Sequence, residues 1–504
     1  MNQTRLACSF LSGLLIPFGF APFHVPGLAI LGIAILFFQL NSASKRQSFF
    51  LGFIFGLGFF GFGISWIYVS IHDHGYFHPL VAGFFTLLFV AYLAFFTGLM
   101  TLMFALLNKN IKLIGSCILF SALWCATEVL RGTLFGGFPW LLLGFSQMDT
   151  PLQHLLPLVG VYGVSYLACF SACMLGCIPK VNGLQRAFFL IPCVLLLTFP
   201  LMLEHKTWTT VKDKTVSVGI IQANIAMRDK WDESLFWKIL EHYEHEILNL
   251  IHHNALVVMP EAAIPLPTSY LSDFFEGMDK KIHLAQSALL LGVPHPTSTE
   301  ELSYYNAIIS LGQAKGVYYK QHLVPFGEFT PDLFKSLSTW LGLVTPNMSP
   351  GQKNQPLMRV HHHPIATLIC YELAYPNLLR DQLPDAEWIV SVNDDGWFGR
   401  SLALYQHLQM AQVLSKLTGR YQIVSNNDGL SSIINDQGII VNALPAFSGG
   451  ILESSIHPAT GASPWVQWGD LPALLFFLTI MMLGTLRRLR KKMIFDSKNT
   501  IVCN

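Results

Sequence analysis

The sequence predicts a helical membrane bundle of eight spans with a layered α/β domain inserted before the last of them. Three observations predict it. Only 12 % of the 504 residues are charged and 52 % are hydrophobic, whereas a soluble globular chain carries about 25 % charge. Long apolar stretches crowd the first 203 residues and return once near the C-terminus. Between them, residues 205–470 alternate short β-type runs with helical patterns and turn residues, the signature of packed layers.

The apolar stretches run at roughly 8–23, 27–41, 48–71, 79–107, 114–130, 155–178 and 187–203, with an eighth at 471–486. A spanning helix needs about 20 mainly apolar residues. The first two stretches are short and interrupted by Pro17, Pro22 and Pro26. Eight alternating crossings place Arg5, Lys45, Arg46, Lys109, Lys112, Lys180, Arg186 and the run RRLRKK at 487–492 on one face. Arg131 stands almost alone on the other. The positive-inside rule makes the basic face cytoplasmic. Both termini are then expected inside and the polar segment outside, and a cleaved signal peptide would break the alternation. The expected domains are 1–204 with seven helices, 205–470, and 471–504 with the last helix and a basic cytoplasmic tail.

The polar segment carries 17 Lys/Arg against 25 Asp/Glu, while the rest of the chain carries 14 against 5. A net acidic domain lacks the basic footprint of a nucleic-acid binder. Its β-type runs include TVSVGIIQANI (215–225), ALVVMPEAAIP (255–265), ALLLGVP (288–294), YYNAIISL (304–311), IATLICYE (365–372) and WIVSVNDDGWFG (388–399). SLFWKILEHYEHEILNLIHH (234–253) and LYQHLQMAQVLSKLTG (404–419) have helical periodicity.

This segment holds one of the nine cysteines, Cys370. Outside the membrane, cysteines used for structure pair with one another, so a lone one is either packing or a working thiol. Cys370 ends an apolar run and is followed by Tyr371 and Glu372, a position suited to lifting a nucleophile above a sheet edge. Glu261 and Lys320 also end apolar runs. Neighbouring parallel strands would bring carboxylate, ammonium and thiol to one rim. A thiol needs a base or a nearby cation to become a thiolate, and an ammonium can also face a developing oxyanion.

MPEAAIP, YYKQHLVPFGEF and LICYELAYP, in that order and spacing, resemble the nitrilase superfamily with its Glu-Lys-Cys triad. Such a domain ahead of a final membrane helix resembles the apolipoprotein N-acyltransferase family of the bacterial inner membrane. QANI with KWD (222–232) and GWFG with QHLQMA (396–411) extend the likeness. The resemblance implies an α-β-β-α sandwich with Cys370 as nucleophile, Glu261 as general base, and Lys320 positioning the thiol and stabilising the tetrahedral intermediate. Glu328, Tyr371 and Glu372 are implied as supporting residues, with Trp231 and, more loosely, Asn306 facing substrate. It further implies a phospholipid acyl donor, a diacylated apolipoprotein acceptor, a periplasmic catalytic domain and no cofactor. Asp394 and Asp428 stand where the family usually has asparagine, which bears on how the rim of the site bonds its substrate.

Two rival readings are a membrane-anchored amidase and a lipid sensor or transporter. An amidase needs one tether rather than eight helices. A transporter usually carries buried charges along its path, and Glu128 is nearly alone in that respect. The histidines of HDHGYFH (72–78), HHH (361–363) and His252–His253 sit in expected loops without a cysteine partner, so no metal is expected. RGTLFGGFPW (131–140) reads either as a surface loop or as a re-entrant segment, which is tolerated only where protein covers its backbone.

Overall fold

A computed structural model describes residues 3–109, 111–297, 303–332, 335–336 and 348–502, with side chains described to residue 490. Cys503 lies outside the described residues. Two compact units are formed: Met1–Lys206 with Trp468–Asn504, and Thr207–Gln467.

The longer helices of the first unit are α1 (Gln3–Leu14), α2 (Pro26–Leu40), α3 (Lys45–Gly63), α4 (Pro79–Leu107), α5 (Leu113–Arg131), α6 (Leu156–Cys177) and α7 (Leu184–Thr198). Among the described residues, five helical segments have the length and apolarity of a membrane span: Pro79–Leu107, Leu113–Arg131, Pro151–Lys180, Leu184–Leu203 and Leu471–Arg490. A sixth arises if Lys45–Gly63 and Ile67–His74, bent by 62°, count together. The first two helices are the short ones. Their 12 and 15 residues reach only about 18 and 22 Å at the α-helical rise, against a hydrocarbon core of about 30 Å. Proline sets these limits: Pro17 lies in the turn Ile16–Gly19 that follows α1, and Pro26 opens α2.

Small residues let the helices approach closely. A Cβ on Gly58 of α3 would lie 2.2 Å from the carbonyl oxygen of Phe10 in α1. Hydroxyls add bonds between helices: Ser9 Oγ donates to Leu51 O at 2.7 Å, and Thr101 Oγ1 to Ser48 O at 2.8 Å. Gly58→Leu is therefore expected to destabilise this unit by about 1–3 kcal/mol through overpacking, visible as a lowered Tm of the detergent-solubilised chain. An unchanged Tm would contradict the close contact.

Glu128 and Arg131 have a structural task. Glu128 Oε1 accepts from Trp124 Nε1 at 2.9 Å and from Leu143 N at 2.8 Å. Arg131 Nη1 donates to the carbonyls of Phe138 and Trp140 at 2.8 and 2.5 Å. Both ionisable groups thus satisfy the backbone of the non-helical stretch after α5, whose Trp140, Leu141, Leu142 and Leu143 are buried. Thr133, Leu134, Phe135 and Gly136 are exposed, whereas the part from Gly137 onward is packed into its unit.

The second unit contains two sheets. The first has the order β14-β2-β3-β4-β5-β7, from β2 (Val216–Gln222), β3 (Leu256–Val258), β4 (Ala288–Pro296), β5 (Tyr304–Gly312), β7 (Val317–Tyr319) and β14 (Gly450–Ile456). The second runs β13-β12-β11-β10-β9-β8-β6. Its strands are β6 (Ala314–Lys315), β8 (Met358–Val360), β9 (His363–Ile369), β10 (Ile389–Asn393), β11 (Gln422–Asn426), β12 (Ser432–Ile434) and β13 (Ile440–Ala443). A separate pair joins β1 (Thr209–Val211) to β15 (Ala459–Gly461). The central strands β2, β3 and β4 are parallel, as are β9, β10 and β11. Strands covered on both faces explain the nearly continuous apolar runs in the sequence.

Side chains alternate between faces. Val218, Ile220, Val258, Leu290 and Ile308 of the first sheet share one buried cluster with Ile365, Ile369, Val390 and Ile423 of the second. Behind the first sheet, Val257, Leu289 and Leu291 meet Tyr243 and Ile247 of α8 (Phe236–Leu250) and Ile282 of α9 (Ser272–Leu284). Behind the second, α10 (Ala403–Thr418) packs on β11 and β12. The result is an α-β-β-α sandwich. The chain then leaves through α11 (Leu471–Val502).

Candidate active site

Three strand ends build the site, and they are not neighbours. Glu261 follows β3, and Lys320 follows β7 in the same sheet with β4 and β5 between. Cys370 follows β9 in the facing sheet. The sequence expectation of adjacent strands is replaced by a meeting across the sandwich. β3 and β7 still run in the same direction, because two antiparallel pairings separate β4 from β7.

Lys320 is nearly fully buried and donates to Glu261 Oε1 at 3.2 Å and Glu328 Oε1 at 2.9 Å. Asn306 Nδ2 reaches the same two oxygens at 2.7 Å each. Asn306, expected to face substrate, instead braces the two carboxylates. Glu328 Oε2 accepts from Val324 N at 2.7 Å, which fixes the PFGEF turn. Both bonds to the Glu261 side chain fall on Oε1, leaving Oε2 to take a proton.

Burial works against the Lys320 ammonium, yet the carboxylates of Glu261 and Glu328 outweigh it and hold its pKa above the usual lysine value. Burial pushes the Cys370 thiol well up, the Glu261 carboxylate adds to this, and Lys320 opposes it. The backbone N–H of Asp394 also bonds the sulfur and favours its anion. The resting group is therefore a thiol, with an ammonium and a ready acceptor carboxylate beside it. Cys370 sits at φ 52°, the left-handed region that costs a non-glycine residue about 1–3 kcal/mol and persists only where its surroundings over-determine it.

Glu372 supplies part of that over-determination. Its carboxylate accepts from Tyr318 OH at 3.1 and 3.0 Å, Gln321 N at 2.7 Å, His322 N at 3.1 Å and Ile369 N at 2.8 Å. It thereby ties the chain around Lys320 to the residue before Cys370. Burial raises its pKa to about 7 against the pull of the Ile369 and His322 N–H groups. Tyr371 accepts from Tyr375 OH at 3.3 Å, and Trp231 stands 51 % exposed at the end of a short helix.

Sequence reasoning passed over Lys230, Asp395 and His407. Lys230 Nζ is buried between Asp394 Oδ2 and, at 2.9 Å, the carbonyl of Glu261. Its neighbour Trp231 drew attention instead. His407 lies on the apolar stripe of α10 with Leu404, Ala411 and Leu414, all buried. A histidine within such a stripe was the available signal.

Asp394 bonds Lys230, and the Lys230 charge also acts on Asp428. Burial and the carboxylates of Asp394 and Asp395 push Asp428 up to about 7, against the pull of Lys230. A carboxyl raised above its unfolded value binds its proton more tightly in the folded state. Stability is then lost as pH rises from about 4 to about 7, and the cost is complete above that range. Asp428→Asn is expected to stabilise the fold at pH 8 by on the order of 1–3 kcal/mol, read as a raised Tm, and to change little at pH 4. An equal gain at both pH values would contradict this assignment.

Comparison with known proteins follows the same division of the chain. Residues 12–174 match the apolipoprotein N-acyltransferase N-terminal domain, and residues 217–463 match the carbon-nitrogen hydrolase family. The chain is 35 % identical over 483 residues to the apolipoprotein N-acyltransferase of Coxiella burnetii, covering 94 % of this chain and 98 % of the relative. It is 34 % identical over 482 residues to that of Azotobacter vinelandii, covering 94 % and 93 %. For that of Pseudomonas aeruginosa strain UCBPP-PA14 the identity is 36 %, covering 91 % of each. Similarity of this degree over nearly the whole length shows that the chain belongs to the apolipoprotein N-acyltransferase family.

Proposed function

We propose that this protein moves an acyl chain from a membrane phospholipid to the N-terminal amine of S-diacylglyceryl-cysteine apolipoproteins, through a thioester on Cys370. The observation that carries the reading is a buried thiol on a strained strand end, with Glu261 and Lys320 acting on its charge. The names of the relatives supply the acceptor class, an apolipoprotein acylated on nitrogen, and the phospholipid donor rests on the sequence resemblance. A phospholipid donor and a diacylated lipoprotein acceptor both keep their chains in lipid, which suits a chain with five or six apolar helices of spanning length.

In the first half-reaction the Cys370 sulfur attacks an acyl ester carbonyl, and Glu261 takes the thiol proton. Lys320 faces the oxyanion. The intermediate collapses with loss of the lysophospholipid, to which Glu261 returns the proton. In the second half-reaction the α-amine attacks the thioester, again with Glu261 as base, and the thiol departs. Cys370, Glu261 and Lys320 are each less than a tenth exposed. A dry site favours aminolysis over loss of the acyl group to water. Glu328 and Asn306 fix Lys320 and Glu261, Glu372 fixes the elbow, and Tyr371 and the exposed Trp231 are the side chains offered to substrate. The charge ladder supports eight crossings with both termini cytoplasmic and the α/β unit periplasmic.

The test is the intact mass of the purified chain after incubation with phosphatidylethanolamine vesicles. A gain of one acyl chain, removable by hydroxylamine and absent in Cys370→Ser, is the expected result. An unmodified protein with unchanged lipid would favour a membrane-anchored amidase instead.

A further inference from the structure

We infer that His407 is a positioning residue for Cys370, a ring that holds the nucleophile's own carbonyl and shares a proton with Asp395 that offsets its charge. The inference rests on the acyl-transfer reading only in taking Cys370 as the nucleophile.

Counting protons leads to it. His407 Nε2 lies 3.0 Å from the Cys370 carbonyl oxygen, which can only accept, so Nε2 carries a hydrogen. His407 Nδ1 lies 2.9 Å from Asp395 Oδ1. The other Asp395 oxygen accepts from Asn426 Nδ2 at 2.6 Å. The orientation of that amide is fixed, because its Oδ1 accepts from Asp395 N at 3.1 Å and Gly429 N at 3.2 Å. One further proton must therefore lie between Nδ1 and Asp395. The His407 and Asp395 side chains are 1 % and 3 % exposed. Burying such a pair is tolerable because every one of these polar atoms has a partner.

The arrangement serves the thiol in two ways. Geometrically, the hydrogen bond from the ring pins the carbonyl of a residue held at positive φ, complementing the grip of Glu372 on Ile369 N. Electrostatically, the charged groups acting on the sulfur are Glu261, Lys320 and Asp395. Asp395 opposes the thiolate, and the proton it shares with His407 Nδ1 offsets part of that opposition. His407 bonds the Cys370 carbonyl and Asp395, so it acts through the backbone of the nucleophile and through a neighbouring carboxylate.

The test uses the full chain in detergent and needs no lipid substrate, so it stands or falls separately from the acyl-transfer assay. The rate of Cys370 alkylation by iodoacetamide is followed against pH by peptide mass spectrometry. His407→Gln is expected to slow alkylation at pH 7 about tenfold and to move its midpoint up by about one unit. The double variant His407→Gln with Asp395→Asn removes the uncancelled carboxylate and should recover most of that loss. A His407→Gln profile that overlays the wild type, or a double variant no faster than the single one, overturns the proposal. Should His407→Gln fail to fold, the wild type decides by ¹⁵N NMR of histidine-labelled protein. One ring should show an Nδ1 proton bonded to a carboxylate that Asp395→Asn removes, and the absence of such a ring overturns the proposal equally.

Discussion

Glu261→Gln is expected to make Cys370 more reactive toward an alkylating reagent while abolishing formation of its acyl-thioester. The two effects have opposite signs because the carboxylate plays two parts. As a charge, it raises the thiol pKa, second only to burial. Replacing it with a neutral isostere leaves Lys320 opposed only by Glu328, so the thiolate becomes easier to form. In the proposed cycle the carboxylate is also the base that receives the thiol proton and returns it to the leaving group. Loss of a positioned base typically costs 10²–10⁴-fold in rate. The glutamine amide can keep the Oε1 bonds from Asn306 and Lys320, so folding should be preserved. Peptide-resolved alkylation and intact-mass acylation, run on one preparation, separate the effects. Equal loss of both would mean that Glu261 only supports the fold, and retention of both would remove it from the chemistry.

Glu372→Gln is expected to have the second-largest effect, on the integrity of the site itself. The carboxylate accepts from four donors, three of them backbone N–H groups. A glutamine offers one acceptor oxygen and turns an NH₂ toward at least one of those donors. A buried donor left unsatisfied costs about 1–3 kcal/mol, and two of these N–H groups belong to the loop after Lys320. The variant should lose several degrees of Tm and show faster hydrogen exchange at residues 318–322 and 369–372, together with most of its acylation. Wild-type exchange in both segments would show that the bonds contribute little.

Much of this site was legible in the sequence because it is built from strand ends. Glu261, Lys320 and Cys370 each close an apolar run, and the chemistry of the three residue types suggested their company. How they meet was not legible. Pairing between sheets leaves no mark on the local pattern, since a buried strand reads the same whichever sheet it joins. The polar network under the site was hidden for a related reason. Lys230 and Asp394 are 164 positions apart and His407 and Cys370 are 37 apart, distances over which periodicity carries no information. Nothing local in YYNA marks Asn306 as a brace, because its two carboxylate partners lie 45 and 22 positions away. In the helical unit, the first two apolar runs form helices of only 12 and 15 residues, with Pro17 following the first and Pro26 opening the second.

The two halves of the site belong to different sheets, so the thiol and its base are held in register by the packed interior between them rather than by any hydrogen-bonded ladder. Side chains such as Val258, Ile308, Ile369 and Val392 then act as the spacer that sets the reach from carboxylate to sulfur. A misplacement of about 1 Å can cost a hundredfold in rate, far more than the same slackening costs in stability. Warming should therefore silence this enzyme below the temperature at which either sheet comes apart, and methyl groups trimmed from the interior should be felt as lost turnover before they are felt as lost structure.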